Sequence, residues 1–410
     1  MAEAAHRAAE RAARESYGRL VAFLAARNRD VAGAEDALAE AFASALQTWP
    51  ESGVPDNPDA WLLTVARRRQ ADAARRQATR KAGEAHLTMI ADELGEGGDR
   101  GPIPDRRLAL MFACAHPEVE PAMRAPLILQ TVLGLTAVDI AAAFLLPPAT
   151  MGQRLVRAKA RIRDGGVPFA EPEPEELPER LDAVLAAIYA TFTRGWTDPL
   201  DSGPERLAEE AIWLAQVVVT LLPDSPEAKG LLALMLYAEA RSGARRDSAG
   251  AYVPFERQDT SLWDRAAIAA AEAMLHAANS SGPTGRYQIE AAIQSAHLAR
   301  RLGGKDTWPA VVQLYDVLMR LSPSPVVLLN RAAALAEVEG PEAALRSLES
   351  IAGDKRLDTY QPLWAVRGYL LAKAGRKAEA HEALSLAIGL ADDQAVRQYL
   401  MQQRAALADG

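Results

Sequence analysis

Residues 136–163, TAVDIAAAFLLPPATMGQRLVRAKARIR, contain the pattern that decides the fold of the first part of the chain. The apolar segment 136–144 predicts a short helix, and the Leu-Leu-Pro-Pro sequence after it predicts a tight break. A longer helix is expected from near Ala149, because Pro148 suits a first helical turn. Its basic residues follow one another to position 163 without an acid. A short helix, a tight turn and a basic second helix form the layout of a helix-turn-helix, whose second helix lies in the major groove.

The spacing of apolar residues in this segment predicts its buried side chains, which are Ile140, Ala141, Leu145, Met151, Leu155, Val156 and Ile162. The polar and basic residues of the second helix are then placed to reach base edges and phosphates. These candidate DNA-binding residues are Thr150, Gln153, Arg154, Arg157, Lys159 and Arg161. An ordinary helical hairpin is the alternative interpretation.

A second basic segment, NPDAWLLTVARRRQADAARRQATRK, occupies residues 57–81. Residues 62–81 hold seven basic side chains against one acid, Asp72, so a helix here would expose a cationic face suited to phosphates. The candidate DNA-binding residues are Trp61, Arg67, Arg68, Arg69, Arg75 and Arg76. The alternatives are a plain solvated face for the arginines, and for Trp61 either a base-stacking platform or a core position.

Residues 34–49, AEDALAEAFASALQTW, predict an amphipathic helix with an apolar side and an acidic side. Taken alone, this pattern indicates core packing more than a partner site. Its candidate partner-binding residues are Glu35, Asp36, Leu38, Glu40, Phe42 and Trp49.

The composition indicates a globular protein of several domains, because the chain has 410 residues, of which 49% are hydrophobic and 24% charged. Helical periodicity dominates, and no convincing alternating strand is present, so we expect an all-α fold. The net charge of −8 hides an asymmetry. Residues 1–163 hold 22 basic and 20 acidic side chains, whereas the rest holds 24 and 34, which gives net charges of +2 and −10. Such an asymmetry indicates a module for a charged ligand joined to something else.

Two stretches rich in glycine, proline and acids divide the chain. Residues 83–104 predict a flexible acidic linker, and the alternating Glu and Pro of residues 166–178 predict an extended linker. The helical pieces are therefore residues 1–82, 105–165 and 179–410. The last piece has a Gly/Ser/Arg-rich loop at 242–259 and two weak copies of a tetratricopeptide (TPR)-like pattern near 325–392, for which chance Ala-rich packing is the alternative.

Several classes of function are disfavoured. The single cysteine, Cys114, excludes an intramolecular disulfide and a zinc site built from several cysteines, and no two of the six histidines have the i, i+4 spacing of a helical zinc pair. We therefore expect no metal and no cofactor, and without a catalytic triad or phosphate loop we expect no enzyme. The longest apolar stretch, near 211–222, is too short to span a bilayer. The N-terminal segment has no apolar signal region, so we expect a cytoplasmic protein without a membrane partner.

Together and in this order, these segments resemble a bacterial extracytoplasmic-function (ECF) sigma factor of the subgroup with a large helical, TPR-like C-terminal extension. Residues 114–117, 143–159 and 258–263 (QDTSLW) carry further parts of the resemblance. It implies that residues 1–82 are sigma region 2, with residues 34–49 docking on core RNA polymerase and residues 57–76 reading the −10 promoter element. It implies that residues 105–165 are sigma region 4, which reads the −35 element.

The resemblance implies two partners, core RNA polymerase and promoter DNA, and leaves room for a protein or peptide ligand of the C-terminal helical domain. The function that the resemblance implies for the protein is promoter-specific transcription initiation. The C-terminal half would then be a fused regulatory or protein-interaction domain. The alternative is a TPR-type helical scaffold or adaptor without promoter recognition.

Overall fold

The computed structural model describes residues 2–28, 31–55, 57–78, 105–165, 172–197, 205–280 and 282–407. Over these ranges the chain forms 19 α-helices, and the one β-type pairing is an isolated bridge between Arg246 and Tyr252. The predicted all-α fold is thus confirmed. The chain divides into two compact units, Met1–Thr191 and Phe192–Gly410.

The helices of the first unit are α1 (Ala2–Glu15), α2 (Tyr17–Asn28), α3 (Val31–Ser52), α4 (Pro58–Ala78), α5 (Arg106–Cys114), α6 (Pro121–Thr131), α7 (Ala137–Ala143), α8 (Pro148–Gly165) and the greater part of α9 (Leu177–Thr197). Helices α1, α2 and α4 pack against α3, and α2 also contacts α5. The side chains of Leu38 and Trp49 from α3 and Leu62 from α4 are fully buried between these helices. Because apolar residues recur on one face of each helix, this face becomes the core of the first four helices.

The later helices of the first unit form a second core. Helix α5 packs on α6, and α6 contacts both α7 and α8. Phe112 of α5 and Ile128 of α6 are fully buried in it. Asp105 caps the start of α5 by accepting hydrogen bonds from the backbone N–H groups of Arg107 and Leu108, both at 2.9 Å. A carboxylate at this position satisfies donors that the first turn of a helix leaves unpaired.

The helices of the second unit, after the end of α9, are α10 (Glu205–Leu221), α11 (Pro226–Glu239), α12 (Arg265–Asn279), α13 (Arg286–Gly303), α14 (Trp308–Leu321), α15 (Pro325–Val338), α16 (Pro341–Glu349), α17 (Gln361–Lys373), α18 (Lys377–Gly389) and α19 (Gln394–Ala406). Helix α11 packs closely against α12 and α13. A Cβ atom at Gly230 of α11 would lie 2.7 Å from the backbone nitrogen of Gln288 in α13, so only glycine allows this approach.

The last helices are arranged as hairpins. Helix α15 packs on α16, and α17 packs on α18, where a Cβ atom at Gly368 would lie 2.7 Å from Cγ of Leu384. Gly340 and Gly375 precede the second helix of each hairpin and have positive φ angles of 89° and 77°. Both turns thus place a glycine at a positive φ angle, which a residue with a Cβ atom rarely adopts. This regularity falls within the segment where the sequence predicts repeats.

The predicted Pro/Glu linker at 166–178 differs from the structure in its second half. Residues Pro174–Glu176 form a 3-10 helix, and α9 begins at Leu177. Proline is tolerated in a first helical turn, where its missing N–H leaves no hydrogen bond unmade, so Pro178 does not prevent α9 from starting. The predicted acidic linker at 83–104 lies outside the described residues, as do residues 166–171.

Candidate polymerase and nucleic-acid interfaces

Helix α8 is held at a defined angle by the short helix before it. Thr136 caps α7 in a capping box with Asp139, and the turn that follows passes through Leu145, which has a positive φ of 51°. Met151 and Leu155 of α8 are buried, and they pack on the side of α8 that faces the unit. The predicted short helix, break and longer helix are therefore all present at the expected positions.

The opposite side of α8 carries the predicted DNA-binding residues. Gln153, Arg154, Arg157 and Arg161 are exposed, and Thr150 is half-buried. The Arg157 Nε donates a hydrogen bond of 3.3 Å to the carbonyl of Gln153, one turn earlier in the same helix. Exposed guanidinium groups without acidic partners are free to bind bases or phosphates. Within the described residues, Arg154, Arg157 and Arg161 form no ion pair.

Two apolar positions of this segment were predicted incorrectly. Val156 was expected in the core, but its relative exposure is 69%, and Leu145 is only half-buried. Residues Met151, Leu155 and Ile162 repeat at helical spacing and fill the buried stripe, whereas Val156 lies about 100° further round the helix. Val156 therefore shares the exposed face with Gln153.

Lys159 has a different position from the other basic residues of α8. Its Nζ lies 2.5 Å from Oε2 of Glu35 in α3, and the two side chains are 23% and 14% exposed. One residue predicted to bind DNA is thus paired with one predicted to bind polymerase. The pair lies beside Cys114, which is fully buried and unpaired, and burial raises the pKa of its thiol.

Helix α4 carries the second set of predicted DNA-binding residues. Trp61 is half-buried, and its ring meets that of Trp49 edge-on at a centroid distance of 5.4 Å. This contact favours the core interpretation of Trp61, although part of its ring is accessible. Arg67 is half-buried, with its guanidinium carbon 4.7 Å from the centroid of the Phe23 ring.

The next two arginines of α4 are exposed. Arg69 forms an ion pair of 3.3 Å with Glu40 of α3, while Arg68 extends from the same turn of the helix. Arg75 and Arg76 lie in α4, but their side chains are outside the described residues. The cationic face of α4 is therefore engaged in part by the protein's own aromatic and acidic groups.

The predicted partner-binding residues of α3 divide into two groups. Asp36 and Glu40 are exposed, and Phe42 is half-buried, with its ring 6.4 Å from that of Tyr17. Leu38 and Trp49 are 0% and 1% exposed, so in this structure they support the helix from the core and present no surface to a partner. The nearby acids and burial also affect Tyr17, because desolvation first, and then Glu35 and Asp36, raise its pKa to about 12.

An arginine that the sequence did not single out fixes α9 to the first unit. Arg180 is 3% exposed; its Nη1 donates to the carbonyl oxygen of Phe112 at 3.3 Å, and its Nη2 pairs with Glu176 at 2.9 Å. Because Phe112 lies in the last turn of α5, the positive charge also meets the negative end of that helix. The first turns of α9 thus belong to the same unit as α5–α8.

No helix in the described part of the chain is long and apolar enough to cross a membrane. The described residues also contain no group of three His, Cys, Asp or Glu side chains that could hold a metal ion.

Comparison with known proteins places these features in a family. Residues 13–80 match the model for sigma-70 region 2, and residues 180–279 match a family of unknown function, DUF6596. The chain is 40% identical over 386 residues to the uncharacterized protein R00370 of Rhizobium meliloti (strain 1021), with 92% of this chain and 90% of that protein covered. No solved structure matches the chain.

The chain belongs to one family with R00370 and has an N-terminal sigma-70 region 2 domain.

Its sigma region 2 comprises α2, α3 and α4, and this match supports binding of RNA polymerase and promoter DNA. The DUF6596 match begins at Arg180, inside α9, and ends at Asn279, the last residue of α12. A sigma region 2 followed by a helical extension agrees with the architecture that the sequence resemblance predicted.

The sequence did not indicate the roles of Phe23 and Arg180, and Val156 was assigned to the wrong face of its helix. Phe23 and Arg180 act through contacts with residues far away in the chain, which local periodicity does not show. Val156 was assigned to the core, although a strict count of helical spacing from Met151 and Leu155 would have placed it outside.

Proposed function

We propose that this protein is an ECF-type sigma factor that binds core RNA polymerase and directs transcription from specific promoters. The observation that carries this proposal is the exposed face of α8, which lies in the same unit as a sigma region 2. Gln153, Arg154 and Arg157 lie beside one another there, and neither arginine forms an ion pair with a described residue. A basic helix presented by a short preceding helix is suited to insertion into the major groove.

In this proposal α8 reads the −35 element. Arg154 is the best candidate for a bidentate bond to a guanine edge, because its planar group is exposed near the start of the helix. Arg157 and Arg161 lie further along and would bind phosphates, which position the helix without reading sequence.

In the same proposal α4 holds the −10 element. Arg68 and Arg69 provide the exposed charge, and the accessible part of Trp61 offers a surface on which a base can stack. Extruding a base from a duplex takes a few kcal/mol. Charge-assisted contacts to several phosphates could offset this, so the protein needs no bond-making step to open promoter DNA.

Core polymerase would bind the exposed acidic edge of α3, formed by Asp36 and Glu40. Because polymerase and promoter are its partners, the protein would act in the cytoplasm. The second unit would be a regulatory or protein-interaction domain, and the hairpins of α15–α18 would be TPR-like repeats for a protein or peptide ligand.

Run-off transcription with purified core polymerase and a library of promoters tests the proposal. The full chain should yield promoter-specific transcripts, and Arg154→Ala should reduce them about 10- to 100-fold, the discrimination expected from one bidentate base contact. Arg346→Ala is the matched control, since Arg346 is an exposed arginine of α16 in the second unit. Full activity of R154A, or no transcript together with no binding to core polymerase, would reject the proposal.

A truncated chain tests the role of the second unit. It should end after residue 197, because Arg180 of α9 is buried against α5 and a cut at the predicted boundary of 165 would remove it. A change in promoter-specific transcription by residues 1–197 supports a regulatory role for the second unit. Unchanged transcription both in vitro and in cells would contradict it.

A further inference from the structure

The loop between α11 and α12 is a closed, ordered structure in the second unit. Its ends are joined by a hydrogen bond of 2.8 Å from the backbone N–H of Asp264 to the carbonyl of Ala240. Inside it, the bridge between Arg246 and Tyr252 and three 3-10 turns fix the backbone. The loop includes the stretch 258–263, which none of the interfaces described above uses.

Two arginines of this loop are stacked on aromatic rings. The guanidinium carbons of Arg241 and Arg245 lie 5.9 and 4.1 Å from the centroid of the Trp196 ring, and that of Arg241 also lies 4.9 Å from the Phe255 ring. Both arginines are half-buried, so part of each side chain faces solvent. Aromatic faces fix a guanidinium in position but bring only a partial negative charge to it.

Neither arginine is bonded to a carboxylate in the described part of the chain. Arg241 Nη2 donates weakly to Gln294 Oε1 at 3.4 Å, and Arg245 Nη1 donates to the Trp196 carbonyl at 2.6 Å. The acids that act on Arg245, Asp393 and Glu239, do so from a distance, and Asp393 is itself bonded to Arg246.

Burial and mutual repulsion disfavour these charges. Desolvation first, and then the charge of Arg245, lower the pKa of Arg241 to about 10. Desolvation is also the largest cause of the lowered pKa of Arg245. Arginine side chains keep their proton in proteins, so the loop holds two partly buried positive charges to which no acid of the described residues is bonded.

The same loop has buried donors without partners. Arg241 Nε and Trp263 Nε1 form no hydrogen bond with the part of the chain that the structure describes, and neither does Nδ1 of His297 on helix α13. These three side chains surround one ring, since Arg241, Trp263 and His297 lie 4.9, 5.7 and 5.8 Å from Phe255. An acceptor of the same loop, Gln258 Oε1, is also buried and unpaired among the described residues. Buried polar groups are rarely left unpaired in native proteins, so this cluster has room for partners such as water or a bound ligand.

We propose that Arg241 and Arg245 bind the oxyanion group, phosphate or carboxylate, of a small anionic ligand on the Trp196 and Phe255 side of this loop. A planar guanidinium already held against an aromatic ring presents its free N–H groups in the fork that an oxyanion accepts. The ligand supplies the bonded negative charge that Arg241 and Arg245 lack among the described residues. The site lies in the second unit and does not depend on promoter recognition.

The test is a titration of the full chain with inorganic phosphate and, separately, with citrate, at constant ionic strength set with chloride. Melting temperature and tryptophan fluorescence are followed together. We expect a saturable rise in melting temperature. Arg241→Gln and Arg245→Gln should each weaken the apparent affinity at least about tenfold, as expected for the loss of charged hydrogen bonds. Arg241→Lys keeps the charge without the fork and should bind between wild type and R241Q.

Arg246→Gln is the matched control, because Arg246 lies in the same loop but is already paired with Asp393. It should keep the anion response even if its melting temperature is lower. A response to phosphate alone identifies a phosphorylated ligand, and a response to citrate alone identifies a carboxylate. No saturable response to either anion, or equal responses in R241Q, R245Q and wild type, overturns the proposal. The assay contains no polymerase or promoter, so its outcome is separate from that of the proposed transcription function.

Discussion

Helices α4 and α8 are both rich in arginine, but their arginine side chains differ in how many intramolecular partners they have. On α4, Arg67 lies against the ring of Phe23, and Arg69 is paired with Glu40. On α8, Arg154 and Arg157 are exposed, and Arg157 bonds only to a carbonyl of its own helix. The same composition therefore gives one helix whose charges are partly neutralised and one whose charges are available.

This difference suggests how the two helices would meet DNA. Arg154 of α8 has no bond to a described residue, so it can bind a duplex without first breaking one, which suits recognition of an intact major groove. An arginine of α4 must exchange an intramolecular partner for a phosphate, so its net gain is smaller. The number of basic residues in a segment thus predicts its charge, but it does not show whether these residues are available to bind DNA.

Of the substitutions that test this comparison, those on α8 should change DNA affinity most. Arg154→Ala should weaken binding to a −35 duplex about 10- to 100-fold and relax preference at one base pair. Arg157→Ala should weaken binding to all sequences and lower the salt slope of log K by about 1. Fluorescence anisotropy at several salt concentrations measures both. The comparison fails if Arg69→Ala on α4 has a larger effect on this duplex than either variant.

A moderate effect is expected at Val156, the exposed apolar residue on the same face of α8. A valine in the major groove can contact the C5-methyl group of thymine. Val156→Ala removes two methyl groups, and the affinity should fall about 4-fold for each of them that is buried against thymine. Replacing thymine by uracil should reproduce the loss at one position of the −35 element, and the variant should then be insensitive to that replacement. Equal losses for the variant on thymine and on uracil DNA would contradict the contact.

A smaller effect is expected from the pair between Lys159 and Glu35. Glu35→Gln frees Lys159, so binding to a −35 duplex should increase about 2- to 5-fold, the range of a partly exposed ion pair. Labelling of the buried Cys114 thiol should become faster in the same variant, because its surroundings open more often. Asp36→Asn is the control, since it removes the same charge from the neighbouring exposed position of α3. Identical effects of the two variants would show that general charge, and not the pair, is responsible.

The smallest effect is expected at the exposed pair of α4. Glu40→Gln releases Arg69 and should strengthen binding to single-stranded −10 DNA by about twofold. Filter binding at low salt can resolve this change. A decrease in binding would mean that Glu40 orients Arg69 toward DNA and does not compete with it.

Local sequence rules predicted the elements well. The capping Thr136, the break before Pro148 and the 3.6-residue spacing of Met151 and Leu155 are all short-range signals, and the corresponding helices α7 and α8 are present.

Contacts between residues far apart in the chain could not be predicted from these local rules. Lys159 and Glu35 are 124 residues apart, and Arg180 and Phe112 are 68 apart, so no pattern within one helix announces either contact. The burial of Leu38 and Trp49, which were predicted to bind a partner, was not foreseen for a related reason. Amphipathicity shows that a helix has an apolar face, but the other helices decide whether this face is core or surface.

The most direct test of the account places both helices on promoter DNA in one experiment. Cys114→Ala removes the only cysteine, and Gln153→Cys on α8 or Arg68→Cys on α4 then provides a unique attachment site for an iron chelate that cleaves DNA nearby. With core polymerase and an active promoter, the chelate on α8 should cleave at the −35 element and the chelate on α4 at the −10 element. Cleavage at neither element from active complexes, or at the same position from both helices, would contradict the account.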